Sequence, residues 1–482
     1  MSERAQPVER LRGMVDLAPE TLHRRDLVRE QVLGVLARHG YRQIETPVVE
    51  ATDLFLRKSG GERAAQMYAV RYREREIALR PEHTASVLRL YLDALRGEPL
   101  PLRLSYGGPV FRYEKPQAGR TRQFTEVGGE LLGGSGPAAD AEVIHLALSL
   151  PQAVGVESRL VLGHVGLVLD FLNRLPLRQR SRDWLLWSME RLRKGQPVDL
   201  EHELAGLVSD GRLTALFAEM NIALRDVPPQ QLERWVLSIL GEVGVAVQGG
   251  NREPEEIVAG VIAKLNQRGD EADVRHAFDF LRELAAVHGA PQRVLPEVRA
   301  LARRHGLQPA PIDQLEQVLD LLAAYGHDVG RFELNLGLGR GLHYYTGVLF
   351  EVYTADSSSQ LCGGGRYDDL AQLLGARQPL PACGFSCGLE RLVEEALPQP
   401  EPAPIDVLVV PANPDGTPAA IRLAEELRGR GQQVELEVRG RSPNAARRYA
   451  ERRGIRSVLL VDADERVSQE QPRANAAGAR DA

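Results

Sequence analysis

A proline-rich segment divides the chain into two parts that are expected to fold separately. Residues 398–404 read PQPEPAP, with four prolines in seven residues. Proline has no amide hydrogen to donate and its ring fixes φ, so this segment favours a semi-rigid extended link over a helix or an inner strand. The sequence therefore predicts a large N-terminal part that ends near residue 397 and a small part that begins near residue 405.

The small C-terminal part alternates regularly between strand and helix patterns. Three short apolar runs predict strands, at 407–410, 434–438 and 458–461. Two helical patterns separate them, at 418–430 and 443–453. This βαβαβ order predicts a small layered α/β domain over residues 405–466. Residues 467–482 are polar and rich in alanine, which is typical of a disordered tail.

The large part is interrupted by a helical region. Residues 1–166 and 328–397 mix strand and helix patterns, whereas residues 167–327 are charge-laced and mostly helical in pattern. We therefore predict an α+β core that is built from two separated stretches, with a mostly helical insertion between them.

Composition restricts the class of protein. The formal net charge is −6, which argues against a simple nucleic-acid-binding module but not against an enzyme with a local basic groove. No apolar run reaches the ~18–20 residues that a membrane-spanning helix needs. The three cysteines make neither a disulfide framework nor a zinc-binding spacing. We expect a cytoplasmic protein without a membrane segment or a metal cage of its own.

Residues 111–124, FRYEKPQAGRTRQF, form the first stretch with chemical potential. Two predicted strands flank a polar loop that carries three arginines and a glutamate. Arg112 could bind a carboxylate or a phosphate through two nitrogens, and Glu114 could accept a hydrogen bond from a nucleobase amine. The alternative is a solvated charged turn, for which this order of charges is unusual.

Residues 338–347, LGRGLHYYTG, form the second stretch. Arg340 lies between two glycines, and this segment could also form a simple tight turn. Tyr344 and Tyr345 on a strand would point to opposite faces, so at most one of them would line a given pocket.

Two further stretches combine glycines with arginine. Residues 362–368, CGGGRYD, place three glycines before Arg366, where they would let the backbone approach a ligand or form a plain loop. Residues 384–391, GFSCGLER, predict a strand that enters a helix, with Arg391 able to reach back over a site.

Two flanking carboxylates extend the candidate site. Glu82 and Thr84 lie at a predicted helix start, where capping of the helix is the alternative role. Glu130 follows two glycines on the strand that leaves the first loop.

Together, in this order, these stretches resemble the class II histidyl-tRNA synthetase family. The strand with Pro47 resembles motif 1, residues 111–124 resemble motif 2 and residues 384–391 resemble motif 3. RGLHYYTG and GGGRYD resemble the two histidine-specific signatures, and the C-terminal part resembles the anticodon-binding domain. The resemblance implies an antiparallel sheet with helices and a homodimer built on motif 1.

The resemblance also implies roles for individual residues. It assigns ATP, with Mg²⁺, to Arg112, Glu114, Arg120 and Arg391. Arg340 would stabilise the charge that develops as the carboxylate of histidine attacks the α-phosphate, so the implied catalytic residues are Arg112, Arg340 and Arg391. The implied histidine-binding residues are Glu82, Thr84, Glu126, Glu130, Tyr344, Tyr345 and Tyr367.

This sequence departs from the family pattern at several places. Glu126 stands where the family has glutamine, His83 where it has glycine, and His343 where it has aspartate. An extra carboxylate at position 126 would change the charge of the pocket. The helical insertion is also longer than the family's, and the C-terminal domain stops soon after its third predicted strand.

The resemblance leaves two main functions open. One is the regulatory subunit of ATP phosphoribosyltransferase, which acts in the first step of histidine biosynthesis and has lost tRNA charging; LRLSYGGPVFRYE and GGRYDDLAQLLG favour it. The other is an active histidine–tRNA ligase, which RQF, GLERL, Arg340 and the C-terminal domain favour. We expect the regulatory subunit, with the ligase as the alternative; an orphan paralogue is a third option. The partner would be a phosphoribosyltransferase catalytic subunit in the first case and tRNA-His in the second.

Overall fold

The protein folds into two compact units, Met1–Gln399 and Pro400–Ala482, and the boundary lies within the proline-rich segment. The structure, a computed structural model, describes residues 8–64, 67–113, 121–202, 204, 270–338 and 344–470. None of the helices in these ranges is long and apolar enough to cross a lipid bilayer.

A large mixed sheet forms the centre of the first unit, and nine strands of it lie in the described residues. In spatial order they are β1 (Arg42–Gln43), β5 (Leu102–Phe111), β6 (Gln123–Leu132), β12 (Ala382–Gly388), β11 (Gln360–Arg366), β10 (Val348–Thr354), β7 (Ser158–His164), β9 (Glu333–Asn335) and β8 (His288–Gly289). Neighbours from β5 to β7 are antiparallel. β1 pairs in parallel with β5, and β9 with β7. The expected antiparallel sheet is confirmed.

Helices cover this sheet because their apolar stripes match its buried strands. α1 (Pro19–Arg38), α4 (Pro137–Ala153) and α11 (Leu389–Glu395) pack together and join one continuous core with β6, β7, β10 and β12. α1 starts at Pro19, and proline is well tolerated in a first helical turn. Gly40 follows α1 with φ +79°, the left-handed conformation that ends many helices.

A second, smaller sheet lies in the N-terminal stretch of the first unit. β2 (Val49–Ala51), β4 (Arg75–Leu79) and β3 (Ala69–Tyr72) form a three-stranded antiparallel sheet. α2 (Thr52–Ala64) follows β2, and α3 (Thr84–Leu90) continues into a π-helical turn at Tyr91–Leu95. The short helix α10 (Leu370–Leu373) follows β11.

The described part of the predicted insertion is helical apart from β8. Its helices are α5 (Gly166–Asn173), α6 (Gln179–Arg193), α7 (Asp270–Ala286), α8 (Pro291–Arg304) and α9 (Ala310–Ala324). Their apolar sides join the core of the large sheet.

The C-terminal unit is a four-stranded sheet with two helices among its described residues. The strand order is β14 (Val434–Leu436), β13 (Val407–Pro411), β15 (Ser457–Val461) and β16 (Val467–Glu470), and the first three strands are parallel. α12 (Thr417–Gly429) and α13 (Pro443–Arg453) contribute to two separate apolar clusters with alternate residues of β13.

The strand β16 corrects the prediction of a tail that starts at residue 467. β16 pairs antiparallel with β15, and Arg447 of α13 forms an ion pair with Glu470. β16 is an edge strand with mostly exposed side chains. Its sequence, VSQE, therefore lacks the alternation of apolar residues by which a half-buried strand is predicted. Residues 471–482 lie outside the described residues.

The glycine-rich residues 362–366 also differ from a plain loop, because they lie within β11. The register of β11 and β12 places Cys362 opposite Cys387, with their Cα atoms 4.0 Å apart, and the two residues form a disulfide. Counting cysteines could not predict this pair, since it depends on strand register. Cys383 is a buried free thiol.

Candidate active site

A cavity of about 500 Å³ brings most of the predicted site residues together. It is bounded by β6, β10, β11 and β12, by the start of α3 and by α11. The predicted residues that line it are Glu82, Thr84, Arg112, Glu126, Tyr344, Tyr345, Tyr367 and Arg391. Glu114, Arg120 and Arg340, and with them His343, lie outside the described residues.

Glu82 both caps a helix and carries a buried ion pair. Its carboxylate accepts hydrogen bonds from the amides of Thr84 and Ala85, at 2.9 and 3.1 Å, so the capping role is present. Lys58 of α2 lies 2.6 Å from the same carboxylate and 4.5 Å from the centre of the Tyr344 ring. Lys58 is buried and lines the cavity. It was missed in the sequence because it lies in a polar run without a distinctive spacing.

Arg112 leaves the end of β5 and forms an ion pair across the hairpin with Glu126 on β6. One guanidinium nitrogen lies 2.6 Å from Oε1 of Glu126, and Nε donates to the carbonyl of Pro81 at 2.8 Å. The guanidinium also lies 4.9 Å from the centre of the Phe124 ring. Arg112 is therefore held at the cavity wall by a carboxylate, a carbonyl and a ring.

Glu126 has a second partner in His83. Nδ1 of His83 lies 3.4 Å from Oε2 of Glu126, and the imidazole stacks on the Tyr106 ring with centroids 4.4 Å apart. Burial raises the pKa of Glu126, but Arg112 and the His83 hydrogen bond outweigh burial, so the net pKa is lowered. The carboxylate is thus kept ionised although it is buried.

Glu130, a predicted site residue, does not line the cavity; it is buried beside it, between Tyr106 and the cavity-lining Tyr367. Tyr106 donates to Oε1 at 3.2 Å, and Tyr367 donates a short hydrogen bond to Oε2. Burial raises the pKa of Glu130 to about 7, although the Tyr367 and Thr84 hydrogen bonds and Lys58 oppose this shift. A Cβ on Gly384, opposite Glu130 in the strand register, would overlap the carboxylate, so glycine is needed there.

Tyr344 and Tyr345 both line the cavity, which corrects the prediction that only one of them would. Residues 344–347, directly before β10, are not in a strand, so the alternation of a strand does not apply to the two tyrosines. Their ring centroids are 4.4 Å apart, and the Tyr344 ring centroid is 6.4 Å from that of Tyr367. The aromatic side chains form a wall beside Lys58.

The α11 end of the cavity carries charges of both signs. Arg391 lines the cavity, and its guanidinium donates to the carbonyl of Gln360. Glu390 accepts from the amide of Thr125 at 3.0 and 2.9 Å, which joins α11 to β6. Glu351 of β10 also lines the cavity and accepts from Tyr353 at 2.6 Å.

Arg366 is turned away from the cavity. It is buried and lies 2.8 Å from Asp140 of α4 and 3.0 Å from Asp368, and it donates to the Gly134 carbonyl at 3.0 Å. These contacts join β11 to α4. We assign Arg366 to the fold, with no contact to a ligand.

The arrangement has the donors and acceptors that a polar, charged ligand requires. Arg112 and Arg391 are cations that can bind phosphate or carboxylate oxygens. Glu130 is a buried acceptor between aromatic side chains, suited to a planar group with an N–H donor. The cavity therefore fits a ligand, or two adjacent ligands, with an anionic part and an N–H-bearing ring.

Two family models match most of the chain. The family model for histidyl-tRNA synthetase matches residues 13–204 and 251–392, and that for the anticodon binding domain matches residues 406–471. The second match includes β16. The two stretches of the first match cover more than half of the chain.

Individual relatives match over nearly the whole length. A histidine–tRNA ligase of Methanocaldococcus jannaschii is 30% identical over 453 residues, which are 93% of this chain and 91% of that protein. A histidine–tRNA ligase of Pyrococcus horikoshii is 31% identical over 462 residues, which are 94% of this chain and 91% of that protein.

Solved structures show the same fold at lower identity. A Bacillus halodurans protein described as an ATP phosphoribosyltransferase regulatory subunit/histidyl-tRNA synthetase has a TM-score of 0.64 at 21% identity, covering 95% of this chain and 99% of its own. Apo histidyl-tRNA synthetase of S. aureus has a TM-score of 0.59 at 22% identity, covering 96% and 97%. Family match and relatives together show that the chain belongs to the histidyl-tRNA synthetase family.

Proposed function

We propose that this protein is a histidine–tRNA ligase, which activates histidine with ATP and transfers it to tRNA-His. The observation that carries the proposal is one cavity lined by Arg112 and Arg391, with Glu130 buried directly behind the lining residues Tyr367 and Gly384. The named relatives at about 30% identity support the ligase rather than the regulatory subunit that the sequence patterns favoured.

The part of the cavity next to Glu130 suits the imidazole of histidine. Glu130 can accept a hydrogen bond from a ring N–H, and the tyrosines around it pack against a planar ring. Tyr106 and Tyr367 already donate to Glu130, so its carboxylate has a fixed orientation before a ligand binds. We assign the amino acid to this part of the cavity, with Glu82, Thr84, Glu126, Tyr344 and Tyr345 around it.

The arginine-bearing walls suit ATP. Arg112 and Arg391 would bind phosphate oxygens, and the resemblance adds Glu114 and Arg120 for the nucleotide and Arg340 for the reacting centre. Mg²⁺ takes oxygen ligands, keeps several waters and binds the substrate phosphates, so it needs only one or two protein carboxylates. Glu351 and Glu390 line the same cavity and could supply them. When bound, Mg²⁺ would neutralise charge on the phosphates.

The proposed reaction proceeds in two transfers. The carboxylate oxygen of histidine forms a bond to the α-phosphorus of ATP, and the bond from that phosphorus to the bridging oxygen breaks, which releases pyrophosphate. A terminal ribose hydroxyl of tRNA then attacks the histidyl carbonyl and AMP leaves. Arg112 and Arg340 would stabilise the negative charge that builds up in the first step, because fixed cations act strongly in a water-poor site.

The C-terminal unit is the proposed contact with the anticodon of tRNA-His, in accordance with its family match. The positive charge of its helix α13 is partly neutralised, because Arg447 forms an ion pair with Glu470 and Arg453 forms one with Glu435. We also propose a homodimer, as the motif 1 resemblance implies.

One experiment separates the ligase from the regulatory subunit. Purified protein is assayed for ATP–pyrophosphate exchange with and without histidine, and then for charging of tRNA-His. We expect histidine-dependent exchange and charging. Absence of both, together with activation of a short-form ATP phosphoribosyltransferase by the same preparation, would establish the regulatory subunit instead.

A further inference from the structure

The ion pair between Arg112 and Glu126 lies at the wall of the cavity. Both residues line the cavity, and 23% of the Arg112 side chain is exposed against 5% of the Glu126 side chain. A ligand in the cavity can therefore reach the guanidinium. An anionic ligand that binds Arg112 competes directly with the carboxylate of Glu126 for it.

Glu126 and His83, two of the three departures from the family pattern named above, contact each other. The structure places His83 Nδ1 3.4 Å from Glu126 Oε2. The positions are 43 residues apart in the sequence. Both are buried, and stacking on Tyr106 fixes the His83 ring. Each carboxylate oxygen of Glu126 thus has its own partner, Arg112 on Oε1 and His83 on Oε2.

We propose that Glu126 exchanges partners during substrate binding. A phosphate of the nucleotide binds Arg112 and breaks its ion pair with Glu126, and the Glu126 carboxylate then binds the α-ammonium group of the amino acid. His83 is a positioning residue, because its contact with Oε2 keeps the carboxylate in place after Arg112 has left. This inference rests on the proposed function, since it takes ATP and an amino acid as the ligands of the cavity.

Charge balance makes the exchange cooperative. A buried carboxylate that loses its counter-ion is strongly destabilised, and a second cation relieves this. Nucleotide binding at Arg112 therefore strengthens binding of an ammonium group at Glu126, and thermodynamic reciprocity requires the reverse as well. A glutamine at position 126 would have no charge to exchange. The coupling is thus a property of this chain's Glu126.

The test measures histidine affinity of the full-length protein by isothermal titration calorimetry, alone and with saturating α,β-methylene-ATP and Mg²⁺. We expect the analogue to tighten histidine binding about tenfold or more in the wild type, and by less than about twofold in Glu126→Gln. The matched control is Glu142→Gln, which alters another carboxylate–arginine pair, with Arg103 at 2.7 and 2.8 Å, outside the cavity. It should keep the wild-type ratio.

Ligand analogues test the identity of the group that Glu126 binds, and they need no variant. Histidinol has the ammonium group and the imidazole but lacks the carboxylate, so the nucleotide analogue should tighten its binding as it does for histidine. Imidazole-4-propionate lacks the ammonium group and should show no such gain. An equal gain for imidazole-4-propionate would overturn the exchange.

The role of His83 has its own readout. His83→Ala should lower the coupling ratio, whereas His83→Asn, whose amide nitrogen can take the place of Nδ1, should restore it. A purely structural role would lower the melting temperature in both variants without changing the ratio, and that result would contradict positioning by His83.

Failure of the exchange and failure of the proposed function look different. A wild-type protein that catalyses histidine-dependent pyrophosphate exchange but binds histidine equally with and without the analogue overturns the exchange alone. A protein that binds neither ligand and shows no pyrophosphate exchange overturns both.

Discussion

The hydroxyl of Tyr367 donates a hydrogen bond to the carboxylate of Glu130, 237 residues earlier in the chain, beneath the cavity. Tyr106 donates to the other oxygen of the same carboxylate. The two phenols come from β5 and from the end of β11, so they hold Glu130 at the centre of the sheet. This carboxylate is the acceptor to which we assign the imidazole of the substrate.

Glu130 makes stability depend on pH in a defined direction. Burial raises its pKa to about 7 in the folded protein, above the ordinary value of 4.5. The folded state therefore binds the proton more tightly, and the contribution of Glu130 to stability is fully present below pH 4.5 and is lost as pH rises through about 7. The shift corresponds to roughly 3 kcal/mol.

Urea unfolding at pH 5 and pH 8, on the wild type and Glu130→Gln, measures this contribution. The difference in unfolding free energy between the two proteins should change between these pH values, with the wild type relatively weaker at pH 8. An unchanged difference would show that Glu130 titrates normally. Glu142→Gln serves as the control, because the pKa of Glu142 is lowered and not raised: burial raises it, but Arg103 outweighs burial.

Tyr367→Phe tests the histidine pocket by kinetics. Loss of the hydroxyl removes one donor to Glu130, and a buried polar group left without its partner costs about 1–3 kcal/mol. We expect the KM for histidine in pyrophosphate exchange to rise about five- to a hundredfold, with little change in the KM for ATP. Tyr41→Phe removes a phenol that donates to Glu142 at 3.1 Å outside the cavity, and it should leave both constants unchanged.

Lys58→Met tests the buried pair with Glu82. Removal of one partner leaves a buried charge without its counter-ion, so we expect a loss of about 3–5 kcal/mol in unfolding free energy. Arg57→Ala breaks the exposed pair with Asp53, and it should lower the unfolding free energy by less than about 1 kcal/mol. Equal effects in the two variants would mean that Lys58 does not neutralise Glu82.

Arg366→Lys tests the assignment of Arg366 to the fold. Lysine cannot make the forked contact with Asp140 and Asp368, so the melting temperature should fall markedly. Histidine and ATP affinities, measured well below the melting temperature, should match the wild type. Weaker ligand binding without loss of stability would place Arg366 in the site.

Local patterns in the sequence were sufficient for much of the fold. The apolar stripe of α1, the hairpin β5–β6 and the strand–helix alternation after the linker each follow from neighbouring residues. The strand β16 was missed because an edge strand with exposed polar side chains has no apolar alternation. The strand character of residues 362–366 was missed because glycines there serve close packing between strands.

Site residues could be predicted only where their residue type and their order within a local motif identify them. Arg112, Glu82 and Arg391 were found in this way, and the structure gathers them around one cavity. Lys58, and the contact between His83 and Glu126, depend on distances between separate elements that no local pattern specifies.

The most direct test of the central claim is a burst assay with γ-labelled ATP and no tRNA. Mixing the protein with ATP, Mg²⁺ and histidine should release close to one equivalent of pyrophosphate per active site rapidly, followed by a slow phase, because the histidyl adenylate stays bound. The burst should require histidine and should be lost in Arg391→Ala. A protein that binds ATP and histidine but shows no histidine-dependent burst would contradict the assignment of this cavity as the site of histidine activation.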